Sequence, residues 1–124
     1  MDAEDRVHDL IRIVRGVAIF AVPADIEASM IPTLTRKICD LVDGLQARGM
    51  VLDFANLKAA DHGIMSGISH LAGGVRMLGV PVRMTGMSAG LASALVLTGF
   101  DGLHVRTCAS LDQAIGELLS DATA

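Results

Sequence analysis

The spacing of apolar positions changes several times along the chain, and each change predicts an element. Leu10 to Val14 and Val17 to Val22 are apolar segments separated by Arg15-Gly16, a pair suited to a tight turn, and together they predict a β-hairpin. From Ile26 the period lengthens. Ile26, Met30, Leu34, Ile38, Leu41, Val42 and Leu45 recur at three and four residues, with Arg36, Lys37, Asp40 and Asp43 on the opposite side. This is an amphipathic helix expected from about Ser29 to Ala47. Ser29 as N-cap places Pro32 in the first turn, where its missing N–H has no intrahelical partner to lose, and Gly49 is the expected stop.

Met50 to Phe54 is a short apolar run of the kind buried on both faces of a parallel sheet. A polar connection, Asn56 to Asp61, leads into a helix from His62 to Leu78 that Gly79 ends. Pro81 to Thr85 predicts a strand, Ser88 to Leu97 a helix of small residues, Leu103 to Arg106 a short strand, and Ser110 to Leu119 a closing helix capped by Ser110. Two strands followed by alternating helices and strands imply an α/β layered domain, with a mixed β-sheet flanked by about four helices. Gly73-Gly74 inside the second helix costs about 1 kcal/mol per glycine relative to alanine, and close packing against another helix is the expected reason.

Length and composition narrow the function. With 124 residues the chain reads as a single domain over 1–124. Hydrophobic residues make up 52% and charged residues 19%, which calls for a compact core. The net charge of -4 gives no field for a phosphate backbone, and Phe20, Phe54 and Phe100 are too few to stack bases, so no nucleic acid is expected as partner. The acidic N-terminus has no signal-peptide pattern, which points to a cytoplasmic protein. The uncharged stretch from Met84 to Phe100 is broken by glycine, serine and threonine and reads as strand, turn and helix instead of a membrane span. Cys39 and Cys108 form no CxxC pair and read as reduced thiols.

Candidate chemistry is sparse. Gly86-Met87-Ser88-Ala89-Gly90 matches neither nucleotide-binding fingerprint and has no lysine to neutralise phosphates. The histidines form no HExxH, and His62 and His70 lie about 80° apart around a helix, so neither a metal site nor a cofactor is expected. No nucleophile elbow is present, and catalysis is not expected. What remains is the polar corner Asp61-His62-Gly63 opening the second helix. Asp61 is suited to cap that helix, Met65 is expected to be exposed for protein contact, and Ser66 and Ser69 follow within two turns.

The segment from Met50 to Phe100 resembles a STAS domain, in particular the small single-domain stressosome scaffold subunits and anti-sigma factor antagonists. The likeness rests on the strand ending in Asp53, the Ala60-Asp61-His62 step, Arg76-Met77-Leu78-Gly79, Thr85-Gly86, Leu95 to Phe100, and Ser110 to Ile115. It extends over roughly Leu10 to Leu119. The resemblance implies a protein-interaction module in bacterial signalling and transcription regulation. Implied partners are a serine/threonine kinase of the histidine-kinase-like fold or an anti-sigma factor, and sibling STAS proteins in a homo- or hetero-oligomer. The family carries a phosphorylated serine or threonine directly after the aspartate. His62 occupies that phosphoacceptor position here, and an imidazole forms no phosphate ester. The expected partner-binding residues are Asp61, His62, Gly63, Met65, Ser66 and Ser69. Alternative readings are a subunit docking on an ABC-type transporter ATPase, without membrane insertion of its own, and a phosphohistidine carrier through His62.

Overall fold

The computed structural model describes residues 9–123, and the acidic N-terminal segment read above lies outside them. Five strands, β1 (Ile11–Val14), β2 (Val17–Ala21), β3 (Gly49–Asp53), β4 (Val82–Thr85) and β5 (Arg106–Thr107), form one sheet in the order β1-β2-β3-β4-β5. β1 and β2 are antiparallel, and every other neighbouring pair is parallel. The hairpin turn holds Arg15 and Gly16 at φ 53° and 83°, the left-handed pair that matches strand twist in a two-residue loop. Four helices complete the described fold: α1 (Ile31–Gly44), α2 (His62–Met77), α3 (Ala89–Leu97) and α4 (Leu111–Thr123).

Alternation along the strands sorts the core into two layers. Ala18, Phe20, Met50, Leu52, Val82 and Met84 pack with the apolar faces of α1, α2 and α3. Val17, Ile19 and Val51 point the other way and are covered by Ala114, Ile115 and Leu118 of α4.

The expected elements are all present, with instructive differences at their ends. Ser29 does not cap α1. It lies in a 3-10 turn, Ala28–Met30, and α1 begins at Ile31 with no side-chain cap, so Pro32 still falls in the first turn. The helix also ends earlier than its apolar period suggests. Gln46 takes φ 52°, its N–H donates to the Asp43 carbonyl at 3.1 Å, and the Ala47 N–H donates to Val42 at 3.0 Å. That is a Schellman closure with glutamine where glycine is usual. Gly49 therefore has another role: it is the first residue of β3, and a Cβ there would lie 2.8 Å from Leu118 Cδ2. The glycine lets α4 approach the sheet. β5 starts at Arg106 instead of Leu103, because Gly102 and His104 have φ 101° and 55°, which are not strand conformations. Ser110 caps α4 as expected, accepting from the Gln113 N–H at 3.1 Å while Gln113 Oε1 accepts from the Ala109 N–H at 2.9 Å.

The Gly73-Gly74 pair divides its work. A Cβ on Gly74 would meet Cys39 Sγ of α1 at 3.3 Å, and one on Gly67 would sit 2.7 Å from Ile31 Cδ1, whereas Gly73 has open space. Gly67 and Gly74, two turns apart on one stripe, bring α2 close to α1.

Candidate functional site

The site is built where β3 hands over to α2. β3 ends with the Val22 N–H donating to the Asp53 carbonyl at 3.0 Å and the Phe54 N–H to the Thr85 carbonyl at 2.9 Å, which lock the strand ends together. Asp53 Oδ1 accepts from the Ala55 N–H at 3.0 Å and turns the chain out of the sheet. The loop after β4 closes over this turn at Gly86, where φ is 82° and a Cβ would lie 2.8 Å from the Ala55 nitrogen. Gly86 is thus required for tight turning.

After Leu57 pins the loop into the core, Asp61 starts α2. Its backbone is extended, and its Oδ1 accepts from the Ile64 N–H at 2.8 Å, the N-cap expected from sequence. The carboxylate lies at the positive end of the helix dipole. Asp61, His62 and Gly63 are exposed. His62 Nδ1 lies 3.4 Å from Ser66 Oγ one turn on, and its ring meets Phe100 edge-on, with centroids 5.9 Å apart and an interplanar angle of 75°. With Nδ1 turned to Ser66, Nε2 is the nitrogen left for a partner. His62, Ser66 and Ser69 share one stripe of α2, and both serines are half-buried.

Met65 is a correction to the expected surface. It is fully buried in the layer between α2 and the sheet, because at helical spacing it falls with Ile68 and Leu71 on the core side. Gly63 is exposed and its Cβ position is only in ordinary contact, 3.4 Å from Asp61 Oδ1, so the backbone does not demand glycine there. Phe100 was not singled out from sequence. Its signals are indirect: it is one of three aromatics, it ends the Leu95 to Phe100 segment that carries the resemblance, and it follows Gly99, which closes α3 at φ 88°.

Among the described residues, no group of three or more His, Cys, Asp or Glu side chains could hold a metal ion, and no helix is long and apolar enough to cross a membrane. The two thiols lie away from the corner. Burial, followed by the nearby Glu117 carboxylate, pushes the Cys108 thiol pKa up, and burial followed by Asp40 does the same for Cys39.

A five-stranded mixed sheet covered by four α-helices, with an exposed polar helix start following the central strand, defines a small α/β domain. The chain belongs to the STAS domain family, which matches residues 10–114. No match is found among curated proteins. Among solved structures the chain is similar to a variant of the Moorella thermoacetica protein RsbS, at 20% identity and a TM-score of 0.75, covering 92% of this chain and 97% of that one. It is likewise similar to a chain from the molecular architecture of the stressosome, described as a signal integration and transduction hub, at 20% identity and a TM-score of 0.76 over 92% and 99% of the two chains. A Thermotoga maritima protein described as an anti-sigma factor antagonist matches at 14% identity and a TM-score of 0.69, over 92% and 97%.

Proposed function

We propose that this protein is a non-catalytic interaction module of the anti-sigma factor antagonist or stressosome scaffold kind, docking its partner through the start of α2. Asp61, His62 and Gly63 form the exposed centre of the surface, and Ser66 and Ser69 extend it along the helix. Family membership and the likeness to stressosome and antagonist structures support the class. The partner this reading implies is a kinase of the histidine-kinase-like fold, an anti-sigma factor, or a sibling STAS protein in an oligomer.

The observation that carries the reading is an intact, exposed helix start with an imidazole where the family resemblance puts a phosphorylated hydroxyl. Phosphorylation there would add about 1.5 to 2 negative charges beside Asp61 and change what the surface attracts. With His62 in place the corner keeps its charge, so docking is constitutive, or it is regulated on the partner.

Incubating the purified protein with a candidate partner kinase and labelled ATP tests this. Wild type is expected to form a complex, seen by native mass spectrometry, and to take up no label. His62→Ser is expected to become labelled and to lose the partner. Stoichiometric phosphate on Ser66 or Ser69 of the wild type overturns the reading. So does acid-labile phosphate on His62, which would make the protein a phosphohistidine carrier.

A further inference from the structure

Beneath α3 the structure leaves a cavity of about 600 Å³. It opens to solvent past Val96 of α3, and a cleft of this size falls in the range of small-molecule sites. Met65 of α2, Met84 of β4, Met87, Leu95 of α3, Phe100 and Leu103 give it a largely apolar wall. Three thioethers from three parts of the chain make that wall adaptable, since unbranched methionine fills irregular shapes at little cost.

The helix roofing the cavity is lightly held. α3 has no charged residue and buries only Leu91 and Leu95, while Val96 and Leu97 are 70% and 86% exposed. The polar residues on the wall are few: Thr107 and Asp101. Asp101 is largely exposed and lies 3.8 Å from His104 Nε2. No lysine or arginine lines the cavity, so an anionic ligand would meet a carboxylate and no fixed counter-charge.

We propose that this cavity binds a small hydrophobic molecule with an aliphatic or aromatic body and a neutral or cationic polar end directed to Asp101. The site also communicates with the corner described above. Phe100 is at once a wall of the cavity and the ring on which His62 rests. An occupant pressing on Phe100 acts on the ring against which His62 lies. Ligand binding stands independently of the docking role, and only its effect on docking rests on that reading.

Titrating the full chain with N-phenyl-1-naphthylamine, a neutral apolar fluorophore, tests the site. Saturable binding of one molecule per chain is expected, with Kd on the order of micromolar. Decylamine, below its micelle concentration, should displace the fluorophore at least about tenfold more effectively than decanoate. Ala92→Phe fills the cavity from its α3 wall and should weaken binding by about tenfold or more. Val96→Trp, at the exposed rim where folding is not at stake, should weaken it as well. Non-saturable fluorescence, undiminished binding to both variants, or equal competition by the two amphiphiles overturns the proposal, the last indicating a non-selective apolar surface. Saturation should shift the His62 imidazole resonances in wild type and not in Phe100→Leu. Binding without that shift overturns the link to the corner. Kinase docking is measured with different variants and no fluorophore, so the two readings fail separately.

Discussion

Asp61 holds two roles in one side chain, and substitution can separate them. Asp61→Ala removes the acceptor that Ile64 N–H reaches at 2.8 Å, and losing an N-cap of this kind costs about 1 kcal/mol. It also removes a negative charge from the positive end of α2, worth about 0.3–1 kcal/mol. The combined loss is about 1–2 kcal/mol. For 124 residues the unfolding entropy is about 0.26 kcal/mol/K, so Tm should fall by about 4–8 °C. Asp61→Asn keeps a capping oxygen and gives up only the charge, which predicts a fall of about 1–4 °C. Urea and thermal unfolding followed by circular dichroism read both. Ser88→Ala is an uncharged control, since Ser88 Oγ accepts from the Leu91 N–H at 3.1 Å at the start of α3 and loses only the cap. On the docking reading, Asp61→Asn weakens partner binding as much as Asp61→Ala does while leaving the fold more stable. An alanine variant as stable as wild type, or an asparagine variant as damaged as alanine, refutes the two-role assignment.

Other consequences follow from the same geometry. Gly73→Ala should stabilise by up to about 1 kcal/mol because a Cβ there meets nothing, whereas Gly67→Ala should destabilise despite the same propensity gain, since Ile31 is in the way and overpacking costs about 1–3 kcal/mol; chemical denaturation of the two variants decides. Glu117 accepts from Arg83 Nε at 3.2 Å and lies 3.0 Å from Arg106 Nε; the hydrogen bond to Arg83, then the charge of Arg106 and the Gln113 hydrogen bond, hold its pKa below the ordinary 4.5 despite some desolvation. A depressed folded-state pKa means stability that is present above the unfolded value and lost as pH falls through the folded one, so the stability gap between wild type and Glu117→Gln should shrink from about pH 5 downward. Cys108, 3% exposed with a raised pKa, should resist a thiol reagent at neutral pH until the protein unfolds, and Cys39, half-buried, should react first.

The order and type of the five strands and four α-helices were legible because apolar runs alternate with glycine, proline and polar breaks, whereas the 3-10 turn at Ala28–Met30 was not. The Asp61 cap was legible too, since an aspartate before an apolar-periodic run has a local cause. What failed were features fixed by contacts far along the chain. Gly49 looks like a helix stop beside Ala47, but its role is set by Leu118 in the last helix. Met65 is a different case: its spacing to Ile68 and Leu71 already places it on the core side of α2, and its nearness to His62 in sequence hid that local signal. Phe100 reaches His62 only after two further elements have formed, so no local pattern announces the pair.

The two helices that frame the proposed docking corner are anchored very differently, and on that proposal the difference has a functional consequence. α2 is locked: two glycines seat it on α1, its buried stripe runs from Met65 to Val75, and Arg76 Nη1 donates to the His104 carbonyl at 3.1 Å near its far end. α3 has a cap, two buried leucines and a cavity underneath. A surface that recognises a partner needs donors and charges in fixed positions, because each group ordered on binding subtracts from affinity. The locked helix meets that need at Asp61. A surface that also responds to something must have a neighbour whose position is inexpensive to change, and low-stability segments supply such elements. Phe100, just past the end of the lightly packed helix and against His62, is where the two halves of the proposed surface touch.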